Sequence, residues 1–537
     1  MITVTERVVC ADPLAPPAPE RAAAPVAGVS AAVRSYRTIV TSSALIGGSS
    51  ALNVLIGMLR SKAMAMLLGP AGFGLMGAYT AVQELARTLA TMGLNQSGVR
   101  QIAAAVGTGD HARIALVVAV LRRTSIACGL AGGLLLAAFA RPVALLTFGD
   151  DAHAGGVALL GVAVFLSTVA NGQAALLQGM RRVGDLARLT LAGGLAGLVV
   201  GVPLVWRFGE AGVAPTLVAI AGAATLVSWR YARRVRVDAI EGGAPVAQAG
   251  PREPGALAHE AWAMLRLGAA FMASGLLTMG AAYAVRILVL RHEGLAGAGV
   301  YQAAWTVGGV YIGFVLQSLG TDFYPRLTAA TRDPVEANRL VNEQTRVGLL
   351  IALPGVLATI TLAPLALQLL YSDAFTAAAG TLRWFCIGMA MRVLTWPMGF
   401  IPVALNRRRV FVATELAWVV ANVSLALALI PRFGVDGAGM AFAGAYAVHA
   451  VLLLPIARWA TGFAFTRENV LLMGAAAATV AAVCGGFLWL PALAATLAGA
   501  AVTAVATFAC ARAIVTLVAP ERLPRVIAAC LRIGGRG

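Results

Sequence analysis

The sequence predicts an all-α integral membrane protein with about 14 transmembrane helices, arranged as two six-helix lobes followed by two further C-terminal helices. Three observations support this fold class: the composition, the apolar segments and an internal repeat. Of the 537 residues, 59% are hydrophobic and only 12% are charged, and the mean hydropathy is +0.83. Because so few charged side chains cannot cover a water-soluble globule, much of the apolar surface must face lipid.

The apolar segments number fourteen. A helix needs about 20 mostly apolar residues to cross about 30 Å of hydrocarbon. The stretches that meet this length are 39–59, 73–93, 124–148, 155–177, 186–206, 212–229, 267–290, 299–319, 347–370, 380–401, 411–430, 437–457, 469–489 and 491–517. Proline lies inside several of them, and spanning helices tolerate it because neighbouring groups satisfy the freed backbone.

An internal repeat divides the first twelve segments into two halves. The motif RFGxxG at 207–212 recurs 225 residues later at 432–437, and Gly74 corresponds to Gly299 at the same offset. Each half contains six spans, and six is even, so both halves enter the membrane in the same sense. We therefore expect two lobes related by an axis along the membrane normal, with a substrate path between them.

The distribution of basic residues predicts the orientation. The net charge is +18, and 31 of the 41 Lys and Arg residues share one side of the membrane if the N-terminus is cytoplasmic. This asymmetry follows the positive-inside rule, so both termini are predicted to be cytoplasmic. The basic balance thus reflects topology and is no evidence for nucleic acid binding.

These observations divide the chain into six parts. Residues 1–38 are predicted to be a disordered cytoplasmic segment, because mixed charges and prolines there precede any apolar run. Residues 39–229 form the N-lobe with spans 1 to 6, residues 230–266 a cytoplasmic linker, and residues 267–457 the C-lobe with spans 7 to 12. Residues 458–517 hold the additional helix pair, and residues 518–537 are a cytoplasmic tail.

Motifs for catalysis, metal binding and nucleotide binding are missing or unsupported. Residues 72–77 read GFGLMG and match GxGxxG, but they open a membrane helix instead of following a strand, so close helix packing is the better interpretation. The six cysteines have no CxxC spacing, and no His/Cys/Asp/Glu cluster has the spacing of a metal site. No GxxxxGK[ST] motif is present. We predict no enzymatic activity, no cofactor and no metal.

Charged residues inside the spans are informative because each costs roughly 2.5–3.5 kcal/mol at a helix centre unless it pairs, reaches the interface or faces a wet cavity. Glu84 and Arg87 lie three residues apart and can neutralise each other, with a direct substrate role as the alternative. Arg392 has no carboxylate nearby in sequence, which favours a cavity-facing role. Arg60 and Arg286 occupy nearly equivalent repeat positions, although each alone is explained by a side chain reaching the interface.

The sign of these charges predicts an anionic cargo. Apart from Glu84 and Glu415, the charges within spans are positive. Arginine binds phosphate oxygens bidentately, whereas a cationic drug would call for buried carboxylates. His449 in span 12 is interpreted as a hydrogen-bonded core histidine, with a proton relay as the alternative.

Residues 60–103 resemble the opening of bacterial O-antigen and related lipid-linked oligosaccharide flippases, which belong to the multidrug/oligosaccharidyl-lipid/polysaccharide exporter superfamily. The features that carry the likeness are a basic residue ahead of LGP at 68–70, the GFG turn at 72–74, and Gly93-Leu94 followed by Arg100. The RFGEAG and RFGVDG motifs are also similar to that family.

The resemblance implies two lobes around a central cationic cavity and alternating access that carries an undecaprenyl-pyrophosphate-linked glycan, such as an O-antigen repeat unit, across the bacterial inner membrane. The implied partners are this glycan, membrane lipids, and polysaccharide polymerase and chain-length machinery, with no nucleic acid. Glu84 is also the candidate for ion coupling. The cavity candidates are Arg60, Lys62, Glu84, Arg87, Arg286, Arg392, Asn53 and Gln83. Among them, Arg392 is added from the charge argument, and the amides of Asn53 and Gln83 could bind sugar hydroxyls.

Two alternatives stay open at this point. A polyprenyl-dependent glycosyltransferase or polysaccharide polymerase would usually need a catalytic acid in a sizeable outer loop, and the predicted first outer loop has no carboxylate. A drug exporter of the same superfamily is disfavoured by the sign of the charges within the spans.

Overall fold

The computed structural model describes residues 27–233 and 256–517, and within them the chain is helical without a strand. This confirms the predicted all-α fold class. The helices of the described residues are α1 (Ala27–Thr91), α2 (Leu94–Thr108), α3 (His111–Ala138), α4 (Ala140–Thr147), α5 (Ala154–Gly179), α6 (Val183–Phe208), α7 (Val213–Ala232), α8 (Ala256–Ala329), α9 (Pro334–Thr361), α10 (Ala363–Leu370), α11 (Ala379–Ala404), α12 (Arg408–Phe433), α13 (Val435–Thr461), α14 (Arg467–Trp489) and α15 (Ala492–Leu517).

Glycines explain how long helical stretches contain two crossings each. Eleven stretches of the described chain are long and apolar enough to span a membrane, and three of them, 52–91, 184–232 and 275–320, each overlap two predicted spans. The breaks lie at Gly69 (φ 63°, ψ −173°), Gly209 (φ 58°, ψ −136°) and Gly294 (φ 69°, ψ −171°). Because glycine has no Cβ, it adopts positive φ without strain. With these breaks, the described chain contains the fourteen predicted crossings.

The internal repeat is visible in the backbone itself. Gly69 and Gly294, which share nearly the same φ and ψ, lie 225 residues apart. Gly434 (φ 61°, ψ −140°) repeats Gly209 at the same offset. Rare backbone conformations thus recur at equivalent positions of the two lobes, which confirms the repeat.

Two predicted spans are divided differently in the structure. The span predicted at 124–148 is α3, which begins at His111, followed by the separate short helix α4; the span predicted at 347–370 is likewise α9 followed by α10. Proline provides the reason, because it has no N–H for the preceding turn. Pro364 cannot bond the Ile360 carbonyl, and Arg383 Nε donates to that oxygen instead at 3.3 Å.

The ends of the predicted segments also differ from the structure. Helix α1 begins at Ala27, so residues 27–38 of the segment predicted to be disordered are helical. Helix α8 begins at Ala256, so the last part of the predicted linker is helical as well. Residues 1–26, 234–255 and 518–537 lie outside the described residues. Helix α2 was not predicted, because it is short and polar.

The additional helix pair is held to the C-lobe by a buried amide network. Asn342 of α9 donates from Nδ2 to the Ala464 carbonyl at 3.0 Å, and its Oδ1 accepts from the Thr466 backbone N–H at 3.0 Å. Asn469 of α14, which is 2% exposed, donates to Asn342 Oδ1 at 2.9 Å. The Asn342 side chain therefore supplies hydrogen-bond partners for the backbone of the segment that connects α13 and α14.

We expect Asn342→Ala to destabilise the protein, because it leaves buried backbone and amide groups without partners. The loss of unfolding free energy should be about 1–3 kcal/mol. Thermal unfolding of the detergent-solubilised protein measures this as a lower midpoint. Asn95→Ala, at an exposed position of α2, is the matched control and should leave the midpoint unchanged. Equal midpoints for both variants would contradict the role assigned to Asn342.

Candidate functional site

The two lobes meet at one end through reciprocal glycine contacts. A Cβ at Gly74 would overlap the Leu295 carbonyl oxygen, and a Cβ at Gly299 would overlap the Pro70 carbonyl oxygen. Because Pro70 and Gly74 correspond to Leu295 and Gly299 in the repeat, the contact is self-complementary, as in a two-fold symmetric dimer. We call this the Gly74 end of the interface.

The lobes also touch at the opposite end. A Cβ at Gly268 of α8 would overlap the Met92 carbonyl oxygen, and a Cβ at Gly93 would overlap the Gly268 carbonyl oxygen. We call this the Gly93 end. The lobes thus meet backbone against backbone at both ends of the interface.

Two basic side chains donate hydrogen bonds across the interface between the lobes, near the Gly74 end. Lys62 Nζ of the N-lobe donates to the Leu369 carbonyl at 2.7 Å, in the last turn of α10. Arg291 of the C-lobe donates from Nη2 to the Leu146 carbonyl at 2.7 Å, in the last turn of α4, and also bonds the Leu145 carbonyl. Free carbonyls at helix C-termini attract cations. We call Lys62 and Arg291 the crossed latches.

A cavity of about 230 Å³ lies between the Gly74 end and the Gly93 end. We call it the central cavity. Its walls come from the second half of α1, both halves of α8, and α11 to α13. Its lining includes Thr80, Glu84, Thr278, Tyr283, Arg286, Gln302, Trp305, Trp418, Asn422 and Phe442.

Arg286 supplies a positive charge to this cavity. Its guanidinium bonds Gln302 Oε1 and lies 5.6 Å from the centroid of the Tyr301 ring, and Gln302 Nε2 in turn donates to Thr306 Oγ1 at 3.0 Å. The absence of a side chain at Gly77 provides the space for the guanidinium, since a Cβ there would come within 2.6 Å of Arg286 Nη1. In the described part of the chain no ion pair joins Arg286 to a carboxylate. A half-buried cation with neutral protein partners is suited to an anionic ligand.

Glu84 faces the same cavity and is already compensated. Arg87 bonds Glu84 Oε2 through both Nε, at 3.2 Å, and Nη2. The Glu84 side chain is 42% exposed and that of Arg87 is 28% exposed. The pair is therefore close to neutral, and Arg286 dominates the charge of the central cavity.

The other predicted residues lie elsewhere. Arg60 and Asn53 point from α1 towards the small residues of α6: Arg60 Nη1 lies 2.8 Å from the Cβ position of Gly197, and Asn53 Oδ1 lies 2.5 Å from that of Gly194. Arg60 lines a separate cavity of about 340 Å³ with Tyr311. Lys62 is a latch, and Gln83 is half-buried outside the lining of these cavities.

A second cavity, of about 360 Å³, lies within the C-lobe and contains Arg392. We call it the C-lobe cavity. Glu415 and His449 line it together with aromatic rings, and it shares Thr278, Trp305, Trp418 and Phe442 with the central cavity. The two cavities are therefore adjacent compartments. Arg286 and Arg392 belong to different ones.

Sequence reasoning missed Gln302 and Arg291. Gln302 lies within span 8 and corresponds to Gly77 in the repeat, so a polar residue at the position of a packing glycine was the available signal. Arg291 follows directly after the predicted span 267–290, in a predicted outer loop. Its bond to α4 depends on contacts between the lobes, which no local pattern shows.

Comparisons with known proteins agree with this architecture. A family model described as polysaccharide biosynthesis protein matches residues 39–330. Lipid III flippases of Escherichia coli (strain K12) and Shigella flexneri are each 24% identical over 413 residues, which cover 75% of this chain and 94% of those proteins.

Solved structures show the same fold at lower identity. An inward-facing multidrug resistance MATE family transporter of the MOP superfamily has a TM-score of 0.63 and 15% identity, and the match covers 79% of this chain and 96% of that chain. The lipid II flippase MurJ in an inward closed conformation has a TM-score of 0.63 and 12% identity, covering 88% of this chain and 99% of that chain. At these identities the likeness concerns the fold alone.

Proposed function

Since the chain belongs to the polysaccharide biosynthesis protein family, we propose that it is a flippase that moves an undecaprenyl-pyrophosphate-linked oligosaccharide across the bacterial inner membrane. O-antigen or a similar surface polysaccharide repeat unit is the proposed cargo. The observation that carries the proposal is Arg286, a cation that lines the central cavity and whose partners, Gln302 and Tyr301, are neutral. A pyrophosphate would supply the missing negative charge.

The mechanism that we propose is alternating access. The pyrophosphate and glycan enter between the lobes from the cytoplasm while the polyprenyl tail stays in lipid. Opening of the Gly74 end then releases the head group on the other side. This assigns the Gly93 end to the cytoplasm and the Gly74 end to the periplasm, in keeping with the positive-inside rule and cytoplasmic termini. Glu84 is the proposed coupling residue, because it faces the central cavity and its pairing with Arg87 can respond to a proton or cation.

We propose one role for each predicted segment of the chain. Residues 39–229 and 267–457 act as the moving lobes, residues 230–266 link them, and residues 458–517 add a helix pair to the C-lobe. Residues 1–38 and 518–537 are proposed as cytoplasmic extensions. Of the remaining candidates, Arg60, Asn53 and Gln83 support the N-lobe side of the path.

Deletion of the gene tests the proposed function. We expect surface polysaccharide to be lost while lipid-linked repeat units accumulate on the cytoplasmic side of the membrane. Loss of repeat-unit synthesis itself would instead indicate a glycosyltransferase and would contradict the flippase.

The crossed latches predict a measurable conformational effect. In a cysteine-free background, spin labels at the exposed, repeat-equivalent positions Phe208 and Phe433 report the distance between the lobes at the Gly74 end. Lys62→Ala combined with Arg291→Ala should raise the population of the longer distance at least about tenfold, because the hydrogen bonds from two charged side chains are lost.

The control for this measurement is Arg467→Ala, at an exposed position in the first turn of α14. It should leave the distance distribution unchanged. An unchanged distribution in the latch variant as well would show that these contacts do not hold the lobes together.

A further inference from the structure

The C-lobe cavity contains buried polar groups that Arg286 and the central cavity do not use. His449 is 8% exposed, and within the described chain neither of its ring nitrogens has a hydrogen-bond partner. Trp418 Nε1, on the wall that the two cavities share, is likewise buried and without a partner among the described residues, and so is Asn422 Oδ1, which lines the central cavity beside it. Buried polar groups in proteins are nearly always satisfied, so each of these atoms calls for a ligand or water.

Two opposite charges face the same space without meeting. Arg392 and Glu415 both line the C-lobe cavity, and no ion pair joins them in the ranges that the structure covers. Arginine offers five donors, a carboxylate only accepts, and a neutral histidine does both. The matching ligand must therefore carry several groups that donate and accept at close spacing, which is the property of hydroxyl groups.

The walls between these polar groups are aromatic. Trp305, Trp396, Phe400 and Phe411 line the cavity together with Trp418, Phe442 and Tyr446. An aromatic face is electron-rich and attracts the weakly positive C–H bonds of a sugar ring. Polar groups at the rim of aromatic platforms are thus complementary to a pyranose, whose hydroxyls lie at its edge and whose C–H bonds lie on its faces.

Other ligand classes fit this lining less well. A metal cation would meet the Arg392 guanidinium, and an isolated inorganic anion would meet the Glu415 carboxylate. An acyl or polyprenyl chain would leave the His449 nitrogens and both charges unsatisfied. The volume of about 360 Å³ is at the lower end of the about 300–1,000 Å³ range of small-molecule sites, which suits a short sugar segment.

We propose that the C-lobe cavity binds the sugars nearest the pyrophosphate while Arg286 binds the pyrophosphate itself. This inference rests on the proposed function and adds a place for the glycan. Because the two cavities share four lining residues, they are adjacent, and a head group can extend from one cavity into the other. Selection among glycans then resides in Arg392, Glu415 and His449.

The test compares two lipids on the purified full-length protein in nanodiscs. One is undecaprenyl pyrophosphate, and the other is the lipid-linked oligosaccharide extracted from cells that lack this gene. We expect wild type to bind the glycan-carrying lipid more tightly. Glu415→Gln and His449→Phe should each weaken that binding about tenfold, the loss of one strong hydrogen bond, without changing the affinity for undecaprenyl pyrophosphate.

Retained affinity for undecaprenyl pyrophosphate also shows that each variant is folded. Trp206→Phe, at an exposed position, is the control and should bind both lipids as wild type does. Equal affinity of wild type for the two lipids, or an equal loss of both in the variants, would overturn the C-lobe site and leave the flippase standing. If wild type binds neither lipid, the proposed function fails together with the inference.

Discussion

Arg286→Ala should abolish polysaccharide export while the protein remains in the membrane at the wild-type level. The substitution removes the cation that dominates the central cavity, so the pyrophosphate would enter with nothing to balance its charge. The loss of one or two hydrogen bonds from a charged donor corresponds to about tenfold to several hundredfold in affinity. Export is measured as surface polysaccharide in a deletion strain that carries the variant gene.

Arg286→Lys separates charge from geometry. Lysine keeps the positive charge but cannot bind phosphate bidentately or bridge to Gln302 in the same way, so export should fall only in part. Arg432→Ala, an exposed arginine in the last turn of α12, is the matched control and should export normally. Normal export by Arg286→Ala would remove this residue from the proposed site.

Gly74→Ala combined with Gly299→Ala should force the lobes apart at the Gly74 end. Each new methyl group would overlap a backbone carbonyl oxygen of the other lobe, and backbone cannot move aside as a flexible side chain can. We expect the closed interface to be lost, with longer distances between labels at Phe208 and Phe433, and export to fall because the cycle cannot close. This effect should exceed that of the latch variant.

The matched control is Gly313→Ala in the second half of α8, where a Cβ would meet no atom within 4 Å. It tests the effect of a glycine-to-alanine change in a helix without a steric clash. If the Gly74/Gly299 variant showed the same distances and export as this control, the lobes would not be held by these glycines.

Glycine contacts also account for the GxGxxG motif at residues 72–77. Gly74 allows the lobes to touch, and Gly77 leaves space for Arg286 and Gln302. The motif was interpreted from sequence as a packing element, and the structure assigns it to the interface between the lobes. A nucleotide-binding loop would instead follow a strand, and the described residues contain none.

The sequence by itself determined the elements and their symmetry. Hydropathy reports lipid exposure locally, so it located the crossings. The repeat followed from comparing the chain with itself. None of these inferences needed to know which helices touch.

Only the tertiary structure decided which charged residues act together. Arg60 and Arg286 are nearly equivalent in the repeat, yet Arg60 lies against α6 and lines a separate cavity with Tyr311, whereas Arg286 faces the central cavity. Arg392 was expected beside Arg286 and lies in the adjacent C-lobe cavity with Glu415 and His449. The direction of each side chain is set by packing between helices that are far apart in sequence. Hydropathy is a local property of the sequence, so it does not report that packing.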